Sequence, residues 1–179
     1  MKTTDGGWRI RAATYRELPD VQAVENEADL RYRAVGLNMI IGMPPAELRL
    51  LEEGRRRGWL WVAVDTGNRP VGFALLRPFG DDAWLHQLSV LGRAGRRGIG
   101  GALVDTACGA ARDAGCTAVL LSTARGVPWN EPFYRRLGFE TLSLGRYTYA
   151  LRQERLHEIR SGHLPWRRVM MRRALSPAT

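Results

Sequence analysis

Residues 83–123 read as strand, loop, helix, strand: AWLHQLSV (83–90), LGRAGRR, GIGGALVDTACGAARDAG (98–115) and TAVLLST (117–123). That order places the chain among mixed α/β folds. The junction into the helix, GRRGIGGALV (95–104), is rich in glycine. Each glycine costs about 1 kcal/mol against alanine in a helix interior, so Gly98, Gly100 and Gly101 call for a reason. A helix N-terminus carries about four unpaired N–H groups and a partial positive charge. Glycines there let a ligand reach the backbone, and the physics favours a phosphate or pyrophosphate, with Arg96 and Arg97 adding charge. Two familiar phosphate loops are excluded. Leu103 stands where GxGxxG needs its third glycine, and no lysine follows as GxxxxGK[ST] requires. The loop of seven residues before Gly98 is also long for a Rossmann turn. The competing reading of the glycines is close packing of the helix on a sheet.

The rest of the chain fills in an α/β domain. WRIRAA (8–13) alternates as a strand, and ELPDVQAVENEADLRYRAV has helical spacing with Leu18, Val21, Val24 and Ala28 on one side. PPAELRLLEEGRRRG reads as a second helix, with Pro45 near its first turn and Gly58 beyond its end. WLWVAVD (59–65) and VGFALLR (71–77) form a hairpin across TGNRP, and 83–90 is the third strand of a meander. In the next helix Ile99, Leu103, Ala107 and Ala110 share a face. NEPFYRRLGF contains a short helix stopped by Gly138. A polar helix around 151–160 and a last strand in WRRVMMRRAL complete the chain. Trp8, Trp59, Trp61 and Trp166 are expected at strand positions, in the core or on the sheet surface. Neither repeats nor linkers interrupt this pattern, and one domain over residues 1–179 is expected.

Composition bounds the function. With 179 residues, 45% hydrophobic and 25% charged, the chain is that of an ordinary globular protein. No run of about 18 apolar residues appears, so no membrane partner is expected. MKTTDGGWRIRA lacks the apolar core of a signal peptide, and a cytoplasmic location is the default. Cys108 and Cys116 form no CxxC pair and read as reduced thiols in packed segments. No metal is expected. The net charge of +9 is almost all arginine, since Lys2 is the only lysine, and the arginines are scattered along the chain. Nucleic acid is therefore not the expected partner.

The strand LHQLSV, then GRRGIGGALV, then AVLLST, then WNEPFYRRLGF resemble the GCN5-related N-acetyltransferase (GNAT) family. That family's pyrophosphate loop reads [QR]xxGx[GA] after a strand ending in Val; Gly98 and Gly100 match its small positions, and FYRRLGF matches a second, downstream segment. The order of elements fits from about residue 8 to 173. The resemblance implies a mixed central sheet of about six to seven strands, flanked by helices and splayed between strands 83–90 and 117–123. It implies acetyl-CoA as acyl donor, held by Leu88, Ser89, Val90, Arg96, Arg97, Gly98, Ile99, Gly100, Gly101 and Asn130. Two departures stand out. Gly95 occupies the loop's usual Gln/Arg position, and Asn130 lies four residues before Tyr134 where the family often has about seven. Asn130 is open to a second role, capping the short helix. Relatives are often dimers, so a homodimer is among the implied assemblies.

The implied reaction sets chemical requirements. An alkylammonium of pKa near 10 is about one part in a thousand neutral at pH 7, a handicap of roughly 4 kcal/mol for a base and pocket to offset. A histidine of pKa near 6.5 suits that task. His86 shares a strand face with Trp84 and Leu88 and stands where some relatives carry a histidine base; the alternative is a hydrogen-bonded residue of the cleft wall. A backbone N–H near Leu88 to Val90 would meet the oxyanion. By resemblance Tyr134 protonates the leaving thiolate; the alternative is a core tyrosine beside Phe133 and Phe139. Glu25, Glu27 and Asp29 on the first helix are candidates for the amine pocket, against a solvated helix face, and Trp129 lines that pocket or anchors its loop. The expectation is an N-acetyltransferase acting by direct attack on a primary amine of a small molecule. A protein or peptide amine, and an acyl-CoA-binding module without turnover, are the alternatives.

Overall fold

Leu60 to Val64 are buried without interruption, a strand covered on both faces. In this computed structural model, which describes residues 2–4 and 7–176, that strand is β3 (Leu60–Asp65). The hydrogen-bonded strand order is β1-β2-β3-β4-β5-β6-β8-β7. Among the described residues there are eight strands where about six to seven are expected; the unforeseen ones are β1 (Lys2–Thr4) and β7 (Glu140–Thr141), too short to show a period. The chain divides into two compact units, Met1–Arg77 with Leu85–Ala110, and Pro78–Trp84 with Ala111–Thr179. Met1, Asp5, Gly6 and residues 177–179, the ends of the expected domain among them, lie outside the described residues.

In the first unit β2 (Trp8–Ala12) and β4 (Pro70–Phe79) flank β3 antiparallel, with Ile10 opposite Ala63 and Val62 opposite Phe73. The β3–β4 turn uses Asn68 at φ 61°, a left-handed conformation that asparagine tolerates. Helix α1 (Leu18–Asp29) buries the expected stripe of Leu18, Val21, Val24 and Ala28. It starts behind a capping box, in which the Thr14 amide and hydroxyl donate to Glu17 at 2.8 and 2.7 Å. Residues 30–35 continue as a 3-10 turn, so the α-helix ends earlier than the sequence spacing suggests. A short α2 (Asn38–Ile41) was not foreseen.

Helix α3 (Leu48–Arg56) begins three residues after Pro45 and stops before Gly58, which is left-handed at φ 71°. It packs with α1 and with β3. Leu51 is fully buried there, worth roughly 1.5–3 kcal/mol. β5 (Asp82–Val90) leads through a 3-10 turn at Gly92–Ala94 into α4 (Ile99–Asp113), whose Ile99, Leu103 and Ala107 are buried.

In the second unit β6 (Ala118–Ala124) pairs parallel with β5 at Ala83↔Val119 and Trp84↔Leu120. On its other side it runs antiparallel to β8 (Arg168–Ala174). Trp84, Ala118, Leu120, Leu142, Tyr147, Leu151 and Met170 form one core cluster. α5 (Glu131–Arg136) and α6 (Tyr149–Arg160) belong here. Thr148 caps α6, accepting from the Leu151 amide at 3.3 Å. Trp166 corrects the expectation of a strand tryptophan. It sits in a 3-10 turn and is 68% exposed. Neither cysteine is in a disulfide; Cys108 is buried and Cys116 half-buried.

Candidate active site

The first unit carries the end of β5, the following loop and the start of α4. His86, Leu88 and Val90 are half-buried, whereas Ser89 is buried with its hydroxyl accepting from Gln87 Nε2 at 3.0 Å. The Leu91 N–H donates to the carbonyl of Val71 on β4 at 2.9 Å. Successive N–H groups of extended backbone point in opposite directions, so the Val90 N–H is directed away from β4.

Beyond Leu91 the loop is unusual. Arg96 is left-handed at φ 60° and Gly98 at φ 78°. For a residue with a Cβ this conformation costs roughly 1–2 kcal/mol, and such strain gathers at ligand-binding loops. Gly98 has nothing within 4 Å of where a Cβ would stand. Its carbonyl accepts the first helical bond, from Ala102 N at 3.0 Å. The N–H groups of Ile99, Gly100 and Gly101 are thus the first-turn donors that have no partner in the preceding turn. Gly100 and Gly101 add no side chain over them, and Arg96 and Arg97 are exposed beside them in sequence. The combination of open helix start, positive helix end and cations can receive an anion. Arg93, one turn earlier, is ion-paired with Glu27 of α1.

Helix α1 holds the acidic candidates. Glu25 is 8% exposed, and its Oε2 accepts from the Ala46 amide at 3.1 Å. Burial pushes its carboxyl up to about 7, against the pull of that hydrogen bond, with the neighbouring Asp29 carboxylate adding to the rise. Burial likewise pushes Asp29 up to about 6. Glu27 is exposed. Gln22 completes a contact that the sequence did not suggest: its Nε2 donates to the Ala46 carbonyl at 2.8 Å.

The second unit carries Trp129, Asn130 and Tyr134. Asn130 is buried at the N-cap position of α5, but its side chain makes no capping bond; its backbone carbonyl takes the Tyr134 amide at 3.1 Å. Tyr134 is half-buried, edge-on to Phe133 with ring centroids 5.1 Å apart and to Phe139 at 5.6 Å. Trp129 is half-buried. The far end of α5 is fixed by Glu131, which accepts from Arg135 at 2.8 Å and from the Thr141 hydroxyl at 2.7 Å. Among the described residues no group of three or more His, Cys, Asp or Glu is placed to hold a metal ion. No helix among them is long and apolar enough to cross a membrane.

A model of the acetyltransferase (GNAT) family matches residues 23–139. Among solved structures the chain is similar to an acetyltransferase of the GNAT family from Staphylococcus aureus Mu50. The TM-score is 0.72 and the identity 16%, over 94% of this chain and 99% of that one. It is also similar to the PaiA N-acetyltransferase of Thermoplasma acidophilum, solved in complex with coenzyme A (TM-score 0.71, 16% identity, 93% and 98% coverage). A third is the ribosomal-protein-S18-alanine N-acetyltransferase of Escherichia coli, with TM-score 0.65 and 16% identity over 96% of each chain. At these identities the likeness is one of fold.

Proposed function

This chain belongs to the acetyltransferase (GNAT) family, and from that premise we propose that it moves an acetyl group from acetyl-CoA to a primary amine of a small molecule, by direct attack in a ternary complex. The observation that carries the coenzyme reading is the start of α4. Gly98 is left-handed with open space around it, and the first helical bond closes behind the N–H groups of Ile99, Gly100 and Gly101. A pyrophosphate fits that cradle, whereas a side chain at Gly98 would intrude on it. Arg96 and Arg97 add charge to it, and Leu88, Ser89, Val90 and Asn130 complete the set assigned to the coenzyme. The T. acidophilum relative was solved with coenzyme A, which agrees with this reading.

Acetyl-CoA supplies an activated thioester. The residues of the chain supply the rest. The Val90 N–H, directed away from β4, is the donor assigned to the carbonyl oxygen as negative charge develops on it. His86 takes the proton that the amine loses on forming the new C–N bond. Tyr134 gives its hydroxyl proton to the sulfur as the C–S bond breaks. A phenol, ordinarily near 10, is a weaker acid than a thiol, ordinarily near 8.5, so such a transfer needs a stabilised phenolate.

Glu25 and Asp29 are the carboxyl groups proposed to meet a cationic acceptor. Both carboxyls are held above their ordinary range by burial, and an ammonium beside them would favour their charged forms. Trp129, in the second unit, is the aromatic residue proposed for the amine.

The test is thermal unfolding with acetyl-CoA, with NADH and ATP as phosphate-bearing controls. A ligand at about 100 times its dissociation constant stabilises by roughly 2.7 kcal/mol. A rise selective for acetyl-CoA, followed by thiol release in a screen of small amines and peptides, supports the reading and separates the two acceptor classes. No shift at millimolar acetyl-CoA removes it, and a shift without turnover on any amine leaves a binding module.

A further inference from the structure

Gly72, the third residue of β4, lies against the end of β5. A Cβ added to it would stand 2.9 Å from the Ser89 carbonyl oxygen, 3.1 Å from Val90 Cγ2 and 3.4 Å from Val90 Cα. The nearest of these is a backbone atom, which no rotamer change can move. The backbone at Gly72 is not left-handed, since it is absent from the positive-φ glycines, so space and not conformation is what the position requires. One residue earlier, the Val71 carbonyl takes the Leu91 N–H at 2.9 Å. Two adjacent residues of β4 therefore locate Ser89, Val90 and Leu91, one by a hydrogen bond and one by having no side chain.

We infer that Gly72 is a positioning residue for acetyl transfer, setting the backbone from which the Val90 N–H is presented. The inference rests on the reaction proposed above, in which that N–H meets the developing oxyanion. Such a donor acts only at the right distance from the oxygen, and its displacement weakens the transition state more than the bound substrates. Nothing in the sequence distinguishes Gly72 from a strand glycine of purely packing value; the contact that does so is made by a strand that follows in the fold.

Gly72→Ala is the test, paired with Gly54→Ala. At Gly54 an added Cβ would meet Leu75 Cδ1 at 2.3 Å, the tip of a side chain in the same unit and not part of the Ser89–Leu91 segment. Kinetics and thermal unfolding are measured for both. The expected result for Gly72→Ala is a kcat at least tenfold lower, with KM for the amine and the Kd for coenzyme A within about twofold of the unaltered protein. Gly54→Ala is expected to lower Tm and leave kcat in place. Should Gly72→Ala not fold, an amide-to-ester replacement of the Val90–Leu91 bond tests the same anchor: it deletes the N–H that Val71 holds and keeps the buried leucine side chain, and kcat is expected to fall in the same way. An unchanged kcat in the folded variant, or a loss of kcat that tracks Tm equally in Gly54→Ala, overturns the positioning role alone. Absence of acetyl transfer by the unaltered protein overturns the underlying reaction, and this inference with it.

Discussion

Gln22 and Glu25, one turn apart on α1, hold opposite sides of a single residue: Gln22 donates to the Ala46 carbonyl at 2.8 Å and Glu25 accepts from the Ala46 amide at 3.1 Å. The pair pins the segment that runs into α3 against the helix assigned to the acceptor. It also accounts for a buried carboxyl that would otherwise be expensive, since a backbone donor offsets part of its desolvation. Glu25 thus has a structural task irrespective of any amine.

A pH dependence follows, with a definite sign. The folded Glu25 carboxyl lies at about 7 against an ordinary 4.5, and Asp29 shifts the same way. The fold therefore prefers the protonated acid. This contribution to stability is complete below the unfolded pKa and is lost as pH rises from about 4.5 through 7. Glu25→Gln keeps an acceptor oxygen for Ala46 and removes the titration. Chemical denaturation across that range should show a flatter stability profile for the variant and a gain on the order of 2 kcal/mol near pH 8. The same variant separates pinning from amine binding: KM for a cationic amine rises if Glu25 meets the substrate and stays put if it only holds Ala46.

Arg96 makes two effects run in opposite directions. Its left-handed backbone, φ 60°, suits glycine better than arginine. Arg96→Gly is expected to raise Tm, by a stabilisation of up to about 1 kcal/mol, while weakening acetyl-CoA binding several-fold through loss of a cation. Calorimetric titration at two salt concentrations checks this, because the variant's affinity should depend less on salt. Equal affinity in both proteins would take Arg96 out of the coenzyme site.

What the sequence disclosed and what it hid have a common physical basis. The apolar stripe Leu18, Val21, Val24 and Ala28 is a local period, and all of it is buried. Gly58 and Gly138 stop their helices at φ 71° and 82°, again a local requirement. The strand and helix around Gly98 were legible for the same reason. By contrast, the burial of Glu25 depends on Ala46, 21 residues away, and the crowding at Gly72 on Ser89. Neither leaves a pattern within a window of neighbours. Arg96 is expected at the phosphate loop, but its left-handed backbone is not legible, because only glycine and asparagine advertise that conformation. Trp166 misled because an aromatic beside Val169–Met171 looks like strand, yet Pro165 turns the chain before β8 begins.

Glu158 organises the C-terminal unit. It is 6% exposed and accepts from Arg168 Nε and Nη2 at 3.0 and 2.8 Å, while Arg155 Nη1 lies 3.2 Å from its other oxygen. Arg155 in turn donates to the Tyr147 hydroxyl at 3.0 Å. Glu158→Ala strands two largely buried guanidinium groups and is expected to cost about 3–5 kcal/mol. Replacing Arg155, Glu158 and Arg168 together by apolar residues of similar volume should cost far less, because no buried charge is then left alone. Denaturant midpoints of the single and triple variants decide the matter; equal losses would mean that the arginine stems, not the charges, hold this region.

Tyr134 offers the cleanest separation of chemistry from packing. Its ring contacts with Phe133 and Phe139 survive in Tyr134→Phe, so the fold should be unaltered and Tm should stay within about a degree or two. Removing the hydroxyl removes the assigned acid, for which losses of about 10²–10⁴ in kcat are typical, with KM for acetyl-CoA little changed. His86→Gln is the companion, since it retains a polar side chain of similar reach but cannot take up a proton. It should lower kcat/KM and erase the acidic limb of the pH–rate profile. Full activity in Tyr134→Phe would return that residue to the aromatic core, and a profile unchanged in His86→Gln would assign the amine's deprotonation to another group or to solvent.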